Sequence, residues 1–350
     1  MTTGIRSLPV RLAAIVLMAS LSFTGCKRGR GRALETAYVS APQVNLRDRV
    51  AAVYTKQGMV RNGERVDILE RERRFAKVRT AEGAEGWMEQ RYLVTQQIYD
   101  GFQELAKQES NAPVQGMATA RNETNLHIEP GRDTEHLYLI SQGTKVSLRK
   151  RATAEKAMPG APAKPAPKPT ATTEDATKPQ EDWWLVRDAG GHVGWLLARM
   201  LDADVPLEIA QYAEGQRIIA YFVLDEVADQ DKKVPQYLML LSEPKEGLPF
   251  DYNQARVFTW NVKRGRYETA YRERLGGFLP VTVSHENFDK EGDLPVFVLR
   301  TKDDSGNLIE RKYKLNTPIV RRVLAPGEVA GHPSAAGRHP KTPKHQRRRN

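Results

Sequence analysis

Few side chains in this sequence could do covalent chemistry, and they are scattered. Of the seven histidines, His332, His339 and His345 lie near the C-terminal end, while His127, His136, His192 and His285 stand far apart. A zinc hydrolase would present His-Glu-x-x-His on one helix face. A phosphate-binding loop would be Gly-rich, and a serine hydrolase would carry Gly-x-Ser-x-Gly; none of the three occurs. The carboxylate pairs Asp225-Glu226 and Asp303-Asp304 fall at strand ends and turns, where solvated caps account for them. The one cysteine, Cys26, leaves no intramolecular disulfide. These residues predict a chain that is not an enzyme and has no catalytic residues, metal site or cofactor. Glycosidase carboxylates can lie far apart in sequence, so a wall-modifying hydrolase with its site in 205–325 stands as the alternative. What the sequence does offer is contact chemistry, above all the adjacent Trp183 and Trp184. Surface aromatics suit sugar or peptide contact.

The net charge of +11 sits at the two ends. Residues 1–32 carry Arg6, Arg11, Lys27, Arg28, Arg30 and Arg32 and no acid; residues 326–350 carry six Lys or Arg against Glu328. Together these account for the whole excess and leave 33–325 neutral. A nucleic-acid-binding fold would carry a basic face of its own, so nucleic acid is excluded as a partner. Leu12–Phe23 is an apolar run of about a dozen residues, short of the roughly 20 that span a bilayer. Behind a positive start, this is the plan of a secretory signal. Its end, Leu21-Ser22-Phe23-Thr24-Gly25-Cys26, resembles the lipobox of bacterial lipoproteins, departing at Phe23, where that family usually has Leu. The resemblance implies cleavage after a signal peptide at 1–25, acylation of Cys26, a basic tether at 26–36 and export to a membrane-anchored position. Ordinary secretion and an uncleaved signal anchor are the other readings of this segment.

Two stretches share landmarks in one order. Asn45-Leu46-Arg47 is echoed by Asn125-Leu126-His127, and Gly63-Glu64-Arg65-Val66 by Gly143-Thr144-Lys145-Val146. Phe75-Ala76-Lys77-Val78 matches Trp183-Trp184-Leu185-Val186, and Gly86-Trp87 matches Gly194-Trp195. The second copy is longer because of one Ala/Pro/Lys-rich segment, about 152–181, whose composition predicts a disordered insert. The expected unit is a small all-β module with Phe75, Val78, Trp87, Val186 and Trp195 as its core; Trp184, opposite a mere Ala76, is either a ligand contact or a packing residue. An Asn-Leu-Arg start, Gly-x-x-Val, aromatic-x-x-Val and a closing Gly-Trp resemble the bacterial SH3-like domain, a small β-barrel. That resemblance implies modules at 37–96 and 116–204 that bind peptidoglycan or envelope proteins and supply no catalysis.

Between the copies, Ile98, Phe102, Leu105 and Ala106 recur at helical spacing, predicting a connecting helix within 97–115. Residues 205–325 read as about eight strands of an antiparallel domain, a sandwich, barrel or blade-like pair, with Phe258 and Trp260 facing Tyr267 across a hairpin. The tail at 326–350 reads as disordered. The expectation is a mainly β, non-catalytic envelope lipoprotein.

Overall fold

The computed structural model describes residues 32–156 and 179–324. The signal peptide, Cys26, most of the insert and the tail lie outside the described residues.

The first barrel runs β1 (Glu35–Val39), β2 (Gln43–Arg47), β3 (Lys56–Arg61), β4 (Arg65–Glu72), β5 (Phe75–Thr80), β6 (Glu85–Glu89), a 3-10 turn at Gln90–Tyr92 and β7 (Leu93–Thr95). The strands lie in the order β3-β2-β6-β5-β4-β1-β7. Alternation along each strand fills the interior with Val39, Leu46, Val60, Val66, Ile68, Ala76, Val78 and Met88. This corrects part of the expected core. Phe75 is buried but three residues from Val78, hence on the opposite face of the same strand. Trp87 pairs with outward Lys77 and is half-buried.

The second barrel repeats this plan with β8 (Gly116–Ala120), β9 (Thr124–His127), β10 (His136–Ile140), β11 (Lys145–Glu155), β12 (Gln180–Arg187), β13 (Val193–Leu197) and β14 (Leu201–Ala203). Its order, β10-β9-β13-β12-β11-β8-β14, matches the first strand for strand. Val186 is fully buried, and Trp195, like Trp87, is half-buried. Strand β11 pairs with β12 out to Glu155↔Gln180, so the hairpin continues into both ends of the expected insert. The Gly-Trp landmark is a close-approach device. A Cβ on Gly86 would stand 2.7 Å from Leu46 Cβ and 3.0 Å from the Arg47 carbonyl; one on Gly194 would meet Leu126 Cβ at 2.8 Å and the His127 carbonyl at 3.0 Å. Because backbone cannot yield like a side-chain tip, Gly86→Ala and Gly194→Ala should each cost about 1–3 kcal/mol. Urea denaturation of each variant checks this, and unchanged midpoints would refute it.

Helix α1 (Gln96–Gln108) is shorter than expected, since the chain turns at Ser110 and Pro113 disfavours helix in the residue before it. Phe102, its buried residue, meets Tyr138 of the second barrel edge-on at 5.4 Å.

After the short helix α2 (Leu207–Ala210) come β15 (Arg217–Asp229), β16 (Lys232–Ser242), β17 (Tyr252–Asn261), β18 (Arg266–Asn287), β19 (Asp293–Lys302), β20 (Leu308–Asn316) and β21 (Ile319–Val323). Each pairs antiparallel with the next, giving a seven-stranded meander. Two strands read separately, near 267–272 and 279–283, are one long strand, β18. The aromatic hairpin is present: Trp260 registers with Tyr267, ring centroids 5.0 Å apart. Ile209 of α2 caps a cluster of Tyr237, Met239, Leu241, Phe258 and Tyr267. The chain forms two compact units, one ending at Gln96 and one beginning at Gln97, so the second barrel and the meander belong together.

Candidate functional site: the two faces of strand β12

Strand β12 is buried almost throughout, from Glu181 to Val186. Such a run means that both faces are covered. Its alternation sorts Asp182 and Trp184 to one side, Glu181 and Trp183 to the other.

Trp184 registers with fully buried Leu196, as Ala76 registers with Met88 in the first barrel, so the indole points to the barrel interior. It is 6% exposed. A cleft of about 330 Å³ lies beside it where the second barrel meets the meander, lined also by Arg121, Arg151, Arg199, Arg217 and Glu246. The Arg151 guanidinium stands 5.7 Å from the Trp184 ring. Asp182 organises this seam. Its Oδ2 accepts from Arg151 (2.8 Å) and Arg217 (2.9 Å), and its Oδ1 accepts from the Gly247 N–H (3.0 Å). Arg151 also donates to the Asp251 carbonyl at 2.6 Å. A buried ion pair holds only when its remaining donors and lone pairs are used, and here they largely are. Burial first, then the charges of Asp182 and Glu181, raise the Glu246 carboxyl above its ordinary range. Burial likewise raises Asp251.

The same seam is closed by Gln115, which is fully buried and behaves as a piece of strand. Its Oε1 accepts from Val281 N–H at 2.7 Å and its Nε2 donates to the Val281 carbonyl at 3.3 Å.

On the other face, Trp183 is 2% exposed and meets His127 edge-on at 5.3 Å. Beside it lies a cavity of about 200 Å³, lined also by Asn125, Arg132, Leu197, Arg199 and Met200. Glu181, its side chain 1% exposed, accepts from Arg132 at 2.7 and 2.5 Å and pairs with Arg199 at 3.3 Å. The Trp183 Nε1–H and Asn125 Oδ1 are buried without a partner. Burial and the neighbouring His136 lower the His127 pKa. Its Nδ1 lies 3.0 Å from the Thr134 hydroxyl and 3.2 Å from the Thr134 carbonyl.

Neither tryptophan is thus an exposed surface aromatic; each lines a cavity on its own side of β12. Sequence reasoning missed Glu181, Asp182, Arg132, Arg151, Arg199 and Gln115. The available signal was two acids set directly against two tryptophans, a pattern that a solvated insert would not carry. Among the described residues no group of His, Cys, Asp and Glu could hold a metal ion, and no helix is long and apolar enough to cross a membrane.

Residues 42–94, which span β2 to β6 and reach into β7 of the first barrel, match the bacterial SH3 domain. The chain matches no curated protein at a significant level. Among solved structures it is similar to NlpC2 from Trichomonas vaginalis, at 11% identity over 84% of this chain and 97% of that one, with a TM-score of 0.17. It is also similar to an NlpC/P60 family protein from Bacillus cereus ATCC 10987, at 10% identity over 81% and 95%, with a TM-score of 0.23. NlpC1 from Trichomonas vaginalis matches at 9% identity over 67% and 87%, with a TM-score of 0.16. These matches correct the expectation that the chain is not an enzyme. The absence of familiar motifs does not by itself exclude an activity.

Proposed function

We propose that this protein engages peptidoglycan at the bacterial cell envelope through its SH3-like barrels, with the second barrel and its β12 cavities as the principal contact. One observation carries the reading. The bacterial SH3 strand order occurs twice, and the second copy adds arginine- and tryptophan-lined cavities on both faces of one strand. Envelope proteins presenting the same wall fragments are the other partners it fits. The test is retention on purified peptidoglycan of the soluble chain 27–350, with 27–96 and 97–350 alongside. Retention of 97–350 at moderate salt is the expected result; retention of 27–96 alone would move the contact to the first barrel, and no retention of any piece would remove peptidoglycan as the partner.

A second reading is a wall-modifying hydrolase in which the barrels serve as targeting modules. The observation favouring it is Glu246, a carboxyl raised by burial and by neighbouring acids within a cleft, the combination expected of a general acid. Release of soluble fragments from the same peptidoglycan, abolished by Glu246→Gln, would support it. Unaltered peptidoglycan after long incubation would exclude it.

Membrane attachment through an acylated Cys26 completes the proposal. Two or more acyl chains anchor stably, so labelled palmitate should enter the wild-type protein and not Cys26→Ala, and the variant should leave the membrane fraction. Equal labelling of both would end this part of the reading.

A further inference from the structure

The two barrels share one strand order but differ at a matched set of side chains. In the first, the Arg47 guanidinium lies 4.5 Å from the Tyr54 ring centroid and 5.3 Å from that of Phe75. Glu89, registered opposite Phe75, lies 3.9 Å from Arg47 and 2.9 Å from Arg91. In the second, His127 stands for Arg47 and Trp183 for Phe75, and Leu197, registered opposite Trp183, stands for Glu89. The backbone bonds that close the two loops, Asp48 N–H to the Thr55 carbonyl and Ile128 N–H to the Glu135 carbonyl, put Thr134 in the place of Tyr54. Two long side chains have become shorter ones, the acid has gone, and a cavity of about 200 Å³ lies beside His127 and Trp183.

We propose that this cavity holds the C-terminal end of a peptide: a terminal carboxylate, the N–H of its last amide and a short aliphatic side chain. The proposal deepens the wall-binding reading and rests on it. Trp183 Nε1–H is a buried donor lacking an acceptor, and Asn125 Oδ1 a buried acceptor lacking a donor. Such groups are rare and costly in a finished fold, and both belong to residues lining this one cavity. Arg132 and Arg199, which both line the cavity, share the single carboxylate of Glu181. Leu197 and Met200 form an apolar wall. An acylated amino-acid end complements all of this. Its carboxylate answers the indole N–H and the two guanidiniums, its amide N–H answers Asn125 Oδ1, and a methyl-sized side chain fits against Leu197. A neutral sugar would bring no carboxylate to the two guanidiniums. A phosphate would bring no N–H for Asn125 Oδ1.

The experiment uses ¹⁵N-labelled chain 27–350, whose five tryptophans give separate indole N–H signals, with the Trp183 signal identified by its loss in Trp183→Phe. The probes are N-acetyl-L-alanine, N-acetyl-D-alanine and the uncharged N-acetylalanine amide. The expected result is a saturable shift of the Trp183 indole signal with a carboxylate probe, the amide binding at least about tenfold more weakly. Arg199→Ala should weaken the carboxylate by about the same factor. Preference for the D form would mark the source as a wall peptide, and preference for the L form as a protein C-terminus. An unmoved Trp183 signal, or equal response to acid and amide, overturns the proposal. Because Phe occupies this position in the first barrel, Trp183→Phe should fold, and it should lower affinity for the carboxylate as read from backbone amide shifts around Asn125. Retention on peptidoglycan with an unresponsive Trp183 would sink the pocket and spare the wall reading; response without retention would do the reverse.

Discussion

Asp182→Ala should destabilise the unit from Gln97 onward by about 3–5 kcal/mol, the loss expected when one partner of a buried ion pair is removed. The size follows from what Asp182 holds. Arg151, 7% exposed in its side chain, would keep the Asp251 carbonyl and a 3.6 Å approach to Asp251 but lose its closest carboxylate. Arg217 and the Gly247 N–H would lose theirs as well. Asp182→Asn keeps the shape and one acceptor, so it should recover part of the hydrogen bonding but not the charge. Urea titration followed by tryptophan fluorescence measures both. Trp184 packs beside Arg151 and contributes the seam's share of that emission. A loss below about 1 kcal/mol for the alanine variant would mean that water takes over the role of the carboxylate.

Gly277→Ala should be nearly as damaging, at about 3 kcal/mol, the upper end of overpacking effects. Gly277 registers with Tyr252 across β17 and β18, and a Cβ there would stand 2.1 Å from two atoms of the tyrosine ring. Tyr252 is fully buried, so the ring has nowhere to go. A glycine under a cross-strand aromatic ring is the close approach that strand glycines permit. The companion variant Tyr252→Leu removes the obstructing ring, so the double variant should be more stable than the sum of the single losses predicts. Additive losses in that cycle would show that the alanine acts elsewhere.

The barrels were readable because their landmarks are local. Asn-Leu starts, Gly-x-x-Val turns and Gly-Trp pairs each sit within a few residues and recur in order. Faces were less readable. The core assignment joined Phe75 to Val78, although a separation of three puts strand residues on opposite sides. The seam was hidden for a different reason. Arg151 and Asp182 flank a segment whose composition reads as linker, and their partners Arg217, Gly247 and Asp251 lie well downstream in a region read only as a run of strands. Gln115 could not be singled out at all. An amide that takes the place of a strand residue looks, in sequence, like any other polar residue in a loop. In the meander, Gly276, Gly277 and Pro280 fall where the sequence suggests a break between strands. Instead β18 carries register shifts there and continues.

In both barrels the first and last strands are neighbours: β1 lies beside β7, with Ala37 opposite Thr95, and β8 beside β14, with Ala118 opposite Ala203. The chain therefore enters and leaves each barrel at nearly the same point. A segment with adjoining ends can be copied or lost as a cassette without rerouting what flanks it, which suits a molecule carrying two. Adjoining ends also set the response to pulling. Tension along the chain through a barrel would open the short terminal ladder rung by rung rather than shear all of its bonds together. A tether between an anchored terminus and a gripped wall polymer would in that case lengthen by opening a barrel before it lost its hold.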